Sequence, residues 1–521
     1  MRRLAPALAF IAVALAGNAA RSQVVYPFEL EDGFAPTCPI DVSVMKLQRD
    51  RGVRPARLCS DEVFVRRVYL DVIGTLPTAE EARTFLLDNR PDKRAALIDD
   101  VLQRDEFADY WALKWCDLLR VKSEFPINLW PNAVQAYHQW IRESIRQNKP
   151  YDQFARELLT SSGSNFRVPE VNFYRAIQGR TPSAIAAAAA LTFMGLRIDA
   201  WSEERRQGMA AFFSRIAYKK TAEWKEEIVY LDPAPSGALD AIFPDNTPVH
   251  IQPGKDPRKV FADWLITPDN AWFTQNIVNR VWAWLMGRGI IHEPDDVRPD
   301  NPPVDPELLT YLENELVNAN YDLKHVYRLI LNSRTYQQSS IPRSEGPDAV
   351  ALFAYYPVRR LEAEVLSDAL CWIGGEGESY SSAIPEPWTY TPESQRTILL
   401  ADGSITSSFL EMFGRPARDT GLESERNNQP TDAQLLYLLN SSDVQRKIER
   451  SPRLRDLIQL AGRDPRDLVF MIYLTILSRF PTEDELMALE QYARTAGLTP
   501  KQILDDVAWA LINTKEFLYR H

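Results

Sequence analysis

The sequence predicts a mainly α, multi-helical protein of two domains, with a few short strands or irregular segments in the second. Three observations carry that expectation. Apolar residues return every three or four positions through most of the chain, as in Phe107, Trp111, Trp115 and Leu118, which places them on one helical face. Helix starts are well marked: Thr78 with Glu81, and Thr482 with Glu485, both have capping-box spacing. Strand-like alternation is scarce, and 521 residues that are 45% hydrophobic suffice for large cores.

Taken in order, residues 1–22 read as a cleavable signal peptide. Met1-Arg2-Arg3 forms a positive start, Leu4 to Ala16 an apolar run, and Gly17 to Ser22 a small-residue cleavage region. The run is too short to span a bilayer, and no later stretch reaches the roughly 18 uncharged residues a membrane helix needs. Export to a periplasmic or extracellular location follows as the expectation. The formal charge of −11 falls by three when Arg2, Arg3 and Arg21 leave. That sign argues against binding to nucleic acid.

Residues 36–220 form the first helical domain. Cys38 and Cys59 lie near its start and, in an oxidising compartment, are placed to form a disulfide. Cys116 and Cys371 sit in apolar helical patterns and read as buried thiols. Residues 221–255 collect Pro, Gly and Asp in a stretch that cannot continue a helix, and so read as a linker. Residues 256–518 form the second helical domain, interrupted by an irregular zone from Gly374 to Ser408 where short strands are expected. The two ends of the chain echo one another. Tyr69-Leu70, Pro77-Thr78 and Glu106-Phe107 recur as Tyr473-Leu474, Pro481-Thr482 and Glu516-Phe517, so similar three-helix units are expected to open and close the fold.

Two blocks carry a family resemblance. Phe64 to Gly74, Trp111 to Arg120 and Lys149 to Phe154 resemble the planctomycete cytochrome-associated domain of unknown function. Phe261 to Leu265, Asn276 to Trp282, Leu329 to Tyr336, Arg359 to Glu364 and Phe413 to Thr420 resemble the planctomycete-specific domain that follows it in exported paired-domain proteins. The resemblance implies a helical exported protein and brings no activity with it. Many relatives carry Cys-x-x-Cys-His before the phrase that here reads Gly208 to Phe213. This chain has neither the thiols nor the histidine there, which excludes covalent haem c. Where relatives have Cys-Glu-Cys-Glu-Arg, this chain has Leu422 to Arg426.

Chemistry must therefore come from other residues, and no cofactor is expected. Five histidines without HxH, HxxxH or HExxH spacing make a zinc site improbable. Neither a P-loop, a dinucleotide fingerprint nor G-x-S-x-G occurs. Asp295, Asp296 and Asp300 lie in a Pro-stiffened, oxygen-rich loop where calcium is conceivable, although turn and cap formation is the commoner role. The Arg-rich phrases supply Arg359, Arg360, Arg415, Arg418 and Arg426 as candidate ligands for an acidic or sulfated glycan. Glu364, Asp368 and Glu425 are the candidate acid or base groups of a carbohydrate-active hydrolase. The competing role for the same groups is a buried ion-pair network, in a binding or assembly component of extracytoplasmic glycan degradation that works beside other exported proteins; partnership with an electron-transfer protein is a further alternative. Pro385 to Tyr390 could form a sugar-stacking platform, and of Trp282 and Trp284, which cannot share a helix face, one is expected to face a surface or interface.

Overall fold

The computed structural model describes residues 28–30, 35–392, 394–460 and 465–521, so the signal segment lies outside the described residues. Helices dominate, and the most buried of them run through both halves of the chain: Asp61–Val72, Asp105–Leu118, Pro182–Met194, Ala271–Met286 and Ala363–Gly374. The sequence explains how each holds its place. In Pro182–Met194, Thr181 caps the start and Pro182 opens the first turn, while a run of alanines lets neighbouring backbones approach from every side. The helix ends on Gly195 at φ +66°, where an added Cβ would lie 2.8 Å from both Asn276 and the Pro294 carbonyl. Ala271–Met286 is buried on nearly every side, its Asn276, Asn279 and Arg280 included, and it takes Trp282 and Trp284 inside alike. The expectation that one of these indoles faces a surface is thus corrected.

The two halves interlock. Helix Pro39–Asp50 packs on Pro306–Asn318, Lys93–Gln103 on Leu323–Asn332, Tyr151–Thr160 on Pro257–Leu265, and Pro182–Met194 on Ala271–Met286. One connected body of buried side chains runs from Ile40 to Leu518. The stretch read as a linker is built into this body. Strands β1 (Gly163–Ser164), β2 (Ile216–Lys220) and β3 (Glu227–Leu231) form an antiparallel sheet in the order β1-β3-β2. Next, β4 (Leu239–Ile242) and β5 (Pro248–Ile251) form a hairpin whose turn includes Asn246 at φ +70°. Phe243, just after β4, stacks on Phe212 and on Trp264. The last pair, β6 (Arg359–Arg360) and β7 (Tyr519–Arg520), joins the second half to the last residues of the chain. Strands were expected in the Gly374–Ser408 zone, but among the described residues that zone holds only the Ser381–Thr406 bridge. Prolines stop helices without forbidding hairpin edges, which is why the Pro-rich stretch could carry strands.

The echo between the chain ends is structural. Both Thr78 with Glu81 and Thr482 with Glu485 form complete capping boxes. Arg104 joins Glu81 to Glu106 and lies over Tyr69; Arg479 joins Glu485 to Glu516 and lies over Tyr473. The same carboxylates and the same ring are bridged, with the arginine supplied from a different position in each unit.

Cys38 and Cys59 are not bonded to each other. Cys38 precedes helix Pro39–Asp50 and its Sγ lies 3.4 Å from Asp41 Oδ2, whereas Cys59 is buried, its N–H donating to the Gln337 carbonyl. Separate neighbours hold the two thiols, which corrects the disulfide expectation. Burial pushes the Cys116 thiol up to about 12.

Burial also raises the Glu313 carboxyl from 4.5 to about 7, with the Thr274 hydroxyl offsetting part of the effect. Folded protein then keeps a proton that unfolded chain has lost, so stability falls as pH rises from about 4.5 to about 7. Glu313→Gln is expected to add about 1–2 kcal/mol near pH 8, allowing for partial solvent access, and nothing near pH 4. Urea unfolding at the two pH values checks this, and an equal gain at both would show that the proton is not the cause.

Candidate functional site

The Arg-rich phrases do converge, and residues of the first half meet them. Helix Asp105–Leu118 is buried along nearly its whole surface, and it carries Tyr110, Lys114 and Asp117 at helical spacing beside the apolar Trp111, Trp115 and Leu118. Asp117 Oδ1 accepts from Arg418 Nε at 2.8 Å, and Oδ2 accepts from Arg426 Nη2 at 2.7 Å. The fork of Arg426 then reaches Glu364, with Nη1 2.6 Å from Oε2, and Arg415 Nε lies 3.2 Å from Glu364 Oε1. Burial raises the Glu364 carboxyl, but Arg426 and then Arg415 outweigh it and hold it down to about 2. Arg415 and Arg418 direct their remaining donors at the Ile405, Asp402 and Ala401 carbonyls. These groups are largely withdrawn from solvent, Glu364 being 0% exposed.

A second cluster adjoins the first. Glu362 accepts from Lys114 Nζ at 2.7 Å, from Tyr110 Oη at 3.2 Å and from Arg520. Arg520 also meets Asp71 at 3.2 Å, and Asp71 accepts from the Tyr336 and Tyr356 hydroxyls at 2.8 and 2.7 Å. Burial would push Glu362 up, yet Arg520 and Lys114 hold it well below the usual carboxylate range. Arg359 joins this group at its edge, Nη2 lying 3.5 Å from Asp71 Oδ1 and donating to the Tyr356 hydroxyl at 2.6 Å, and it also donates to the Trp284 and Leu285 carbonyls at the end of helix Ala271–Met286, where positive charge is favoured. Arg360 donates to the Leu361, Phe413 and Asn427 carbonyls.

The remaining predicted residues have structural partners too. Asp368 shares a helix face with Glu364 but turns to the Thr397 and Ile398 amides. Arg360 lies on β6, ahead of the helix that begins at Ala363 and carries Glu364. Glu425 accepts from the Asp419 and Thr420 amides and closes its own loop. Asp295 turns inward to Arg280 at 2.5 Å and accepts from the Glu423 amide, whereas Asp296 and Asp300 flank Arg298. Their oxygens do not converge: among the described residues no three His, Cys, Asp or Glu side chains are grouped to hold a metal ion. The forks that the sequence offered to an anionic sugar are engaged inside the protein, and the paired carboxylates are closed to solvent.

What is open lies beside this network. A cleft of about 1220 Å³ is formed by residues 375–405, lined by Glu376, Glu378, Tyr380, Ser382, Glu386 and Tyr390 among others. Glu124 holds its rim, accepting from Ser382 Oγ at 2.8 Å and from the Ala383 amide at 3.0 Å. Tyr380 is fixed by a 2.8 Å hydrogen bond with Thr397. Tyr390 is 66% exposed and Trp388 46%. Of this surface, sequence reading had found the aromatic pair; the glutamates around it lacked any motif spacing.

Two helical segments sharing one core and one buried charge network define a tandem-domain helical protein. Residues 39–217 match PSCyt2, a protein of unknown function (DUF1549), and residues 257–493 match PSD1, a protein of unknown function (DUF1553); the chain belongs to the family that carries the two in this order. No curated protein and no solved structure matches it. Among the described residues, no helix is long and apolar enough to cross a membrane.

Proposed function

We propose that this chain is an exported, non-catalytic binding protein for uncharged polysaccharide, acting beside other exported proteins, with the 375–405 cleft as its recognition site. The observation that carries this reading is the contrast between the two charged regions. The Asp117, Glu362 and Glu364 carboxylates are ion-paired and largely buried, whereas the open cleft presents hydroxyls, glutamates and an exposed tyrosine. Carboxylates and hydroxyls hydrogen-bond sugar hydroxyls, and an exposed ring takes the apolar face of a pyranose. Glu376, Glu378 and Glu386, on a chain of net charge −11, disfavour a sulfated or acidic sugar.

Tyr390→Ala is expected to weaken binding of neutral oligosaccharides about tenfold, the equivalent of one stacking contact. Titration calorimetry with neutral and sulfated oligosaccharides checks it, and a preference for the sulfated ones would sink the reading. A second reading has one observation behind it. Burial raises the Glu378 carboxyl, with Lys447 3.8 Å away drawing it back, and an upward shift in a cleft is the direction a glycosidic acid needs. Release of reducing ends by the wild type, lost in Glu378→Gln, would favour it.

A further inference from the structure

The geometry points to a second contact zone beside the cleft: an indole ridge of Trp130, Trp224 and Trp388, across which a neutral polysaccharide too long for the cleft continues. The inference rests on the cleft reading above and adds the ligand's form, a polymer in place of a short oligosaccharide.

The three indoles come from three separate parts of the chain. Trp130 immediately precedes helix Pro131–Arg146, Trp224 stands in the turn between β2 and β3, and Trp388 lies on the loop that lines the cleft. Ring centroids lie 6.2 Å apart for Trp130 and Trp224, and 6.1 Å apart for Trp130 and Trp388. Trp224 is 67% exposed, and Phe125 on the neighbouring loop 81%. Large apolar rings gathered at the surface would ordinarily be drawn inward, so their assembly there marks a contact surface.

The ridge is held in place by its surroundings. Trp130 keeps φ at +74°, a conformation that is unfavourable for any residue with a Cβ and that clusters at ligand sites. Lys225 Nζ stands 4.9 Å from the Trp130 ring centre and 5.2 Å from that of Trp224, so one cation ties the hairpin tip to the first-half loop. The Glu124 contacts with Ser382 and Ala383 bind the loop carrying Phe125 and Trp130 to the cleft rim. Trp388 sits between Glu386 and Tyr390, which both line the cleft, so ridge and cleft are continuous.

The arrangement selects its occupant. The indoles are edge-on or tilted to one another, at 86° and 54°. Trp224 and Trp388, exposed on either side of the half-buried Trp130, therefore offer two separate small platforms, each suited to one sugar ring, and not the flat apolar area of roughly 800 Å² that a stable protein partner covers. Glutamates in the adjoining cleft and hydroxyls on its rim continue the recognition of an uncharged, hydroxylated chain.

Affinity electrophoresis in gels containing laminarin, xylan or galactan, paired with calorimetry on the corresponding trisaccharides, tests the inference. Wild type should bind at least one polysaccharide about tenfold or more tighter than its trisaccharide, because ridge and cleft engage one chain. Trp224→Ala should lose that gain and keep the trisaccharide affinity, while Tyr390→Ala should weaken both. Unchanged polysaccharide binding in Trp224→Ala, with trisaccharide binding intact, overturns the ridge and leaves the cleft reading standing. Failure of wild type to bind any of the neutral glycans, or tighter binding to a sulfated polymer such as carrageenan, overturns both. Since Trp224 is exposed, an unaltered thermal transition establishes that the variant is folded, and Trp388→Ala repeats the test from the other end of the ridge.

Discussion

Asp117→Asn is expected to lower the unfolding free energy by about 3–5 kcal/mol, because removing one member of a buried ion-pair cluster leaves its partners charged and unmatched. Among the described residues, Arg418 loses its only carboxylate contact within hydrogen-bonding distance, and Arg426 is left with Glu364. The asparagine keeps the size of the site, so the loss reads charge and not a cavity. Since domains are typically stable by about 5–15 kcal/mol in all, the variant should melt far earlier or fail to accumulate. Urea unfolding of wild type and variant measures it. A loss below about 1 kcal/mol would mean that water enters the cluster and that these groups are more open than their burial indicates.

Arg520→Ala should come close behind, at about 3–4 kcal/mol, since it strips Glu362 and Asp71 of a shared cation. Glu362 retains Lys114, and Asp71 retains Arg359 at 3.5 Å and two tyrosine hydroxyls, so the loss is smaller than at Asp117. Adding Glu362→Gln to Arg520→Ala should recover part of it by removing the stranded charge, an interaction that a double-mutant cycle reports directly. Additive losses would show that the two side chains act independently.

The sequence showed some of this and hid the rest for physical reasons. Caps and three-to-four periodicity are local, so helices such as Ala79–Leu87 and Glu483–Thr495 were legible from a few residues each. Strands β2 to β5 were not, because four or five residues carry too little alternation to register. Arg415, Arg418 and Arg426 stood out as a phrase, but their partner Asp117 did not. A lone aspartate in a helical pattern ordinarily faces water, and its arginines are about 300 residues away along the chain. The visible clue was that Tyr110, Lys114 and Asp117 leave helix Asp105–Leu118 almost no solvent-facing side.

The interlocked core also bears on how the chain can be shortened. Helices of residues 39–217 find their packing partners, and Asp117 and Asp71 their counter-charges, in the half that begins near residue 257. A chain that kept either half alone would present a bare apolar face, and buried carboxylates or arginines lacking their opposites.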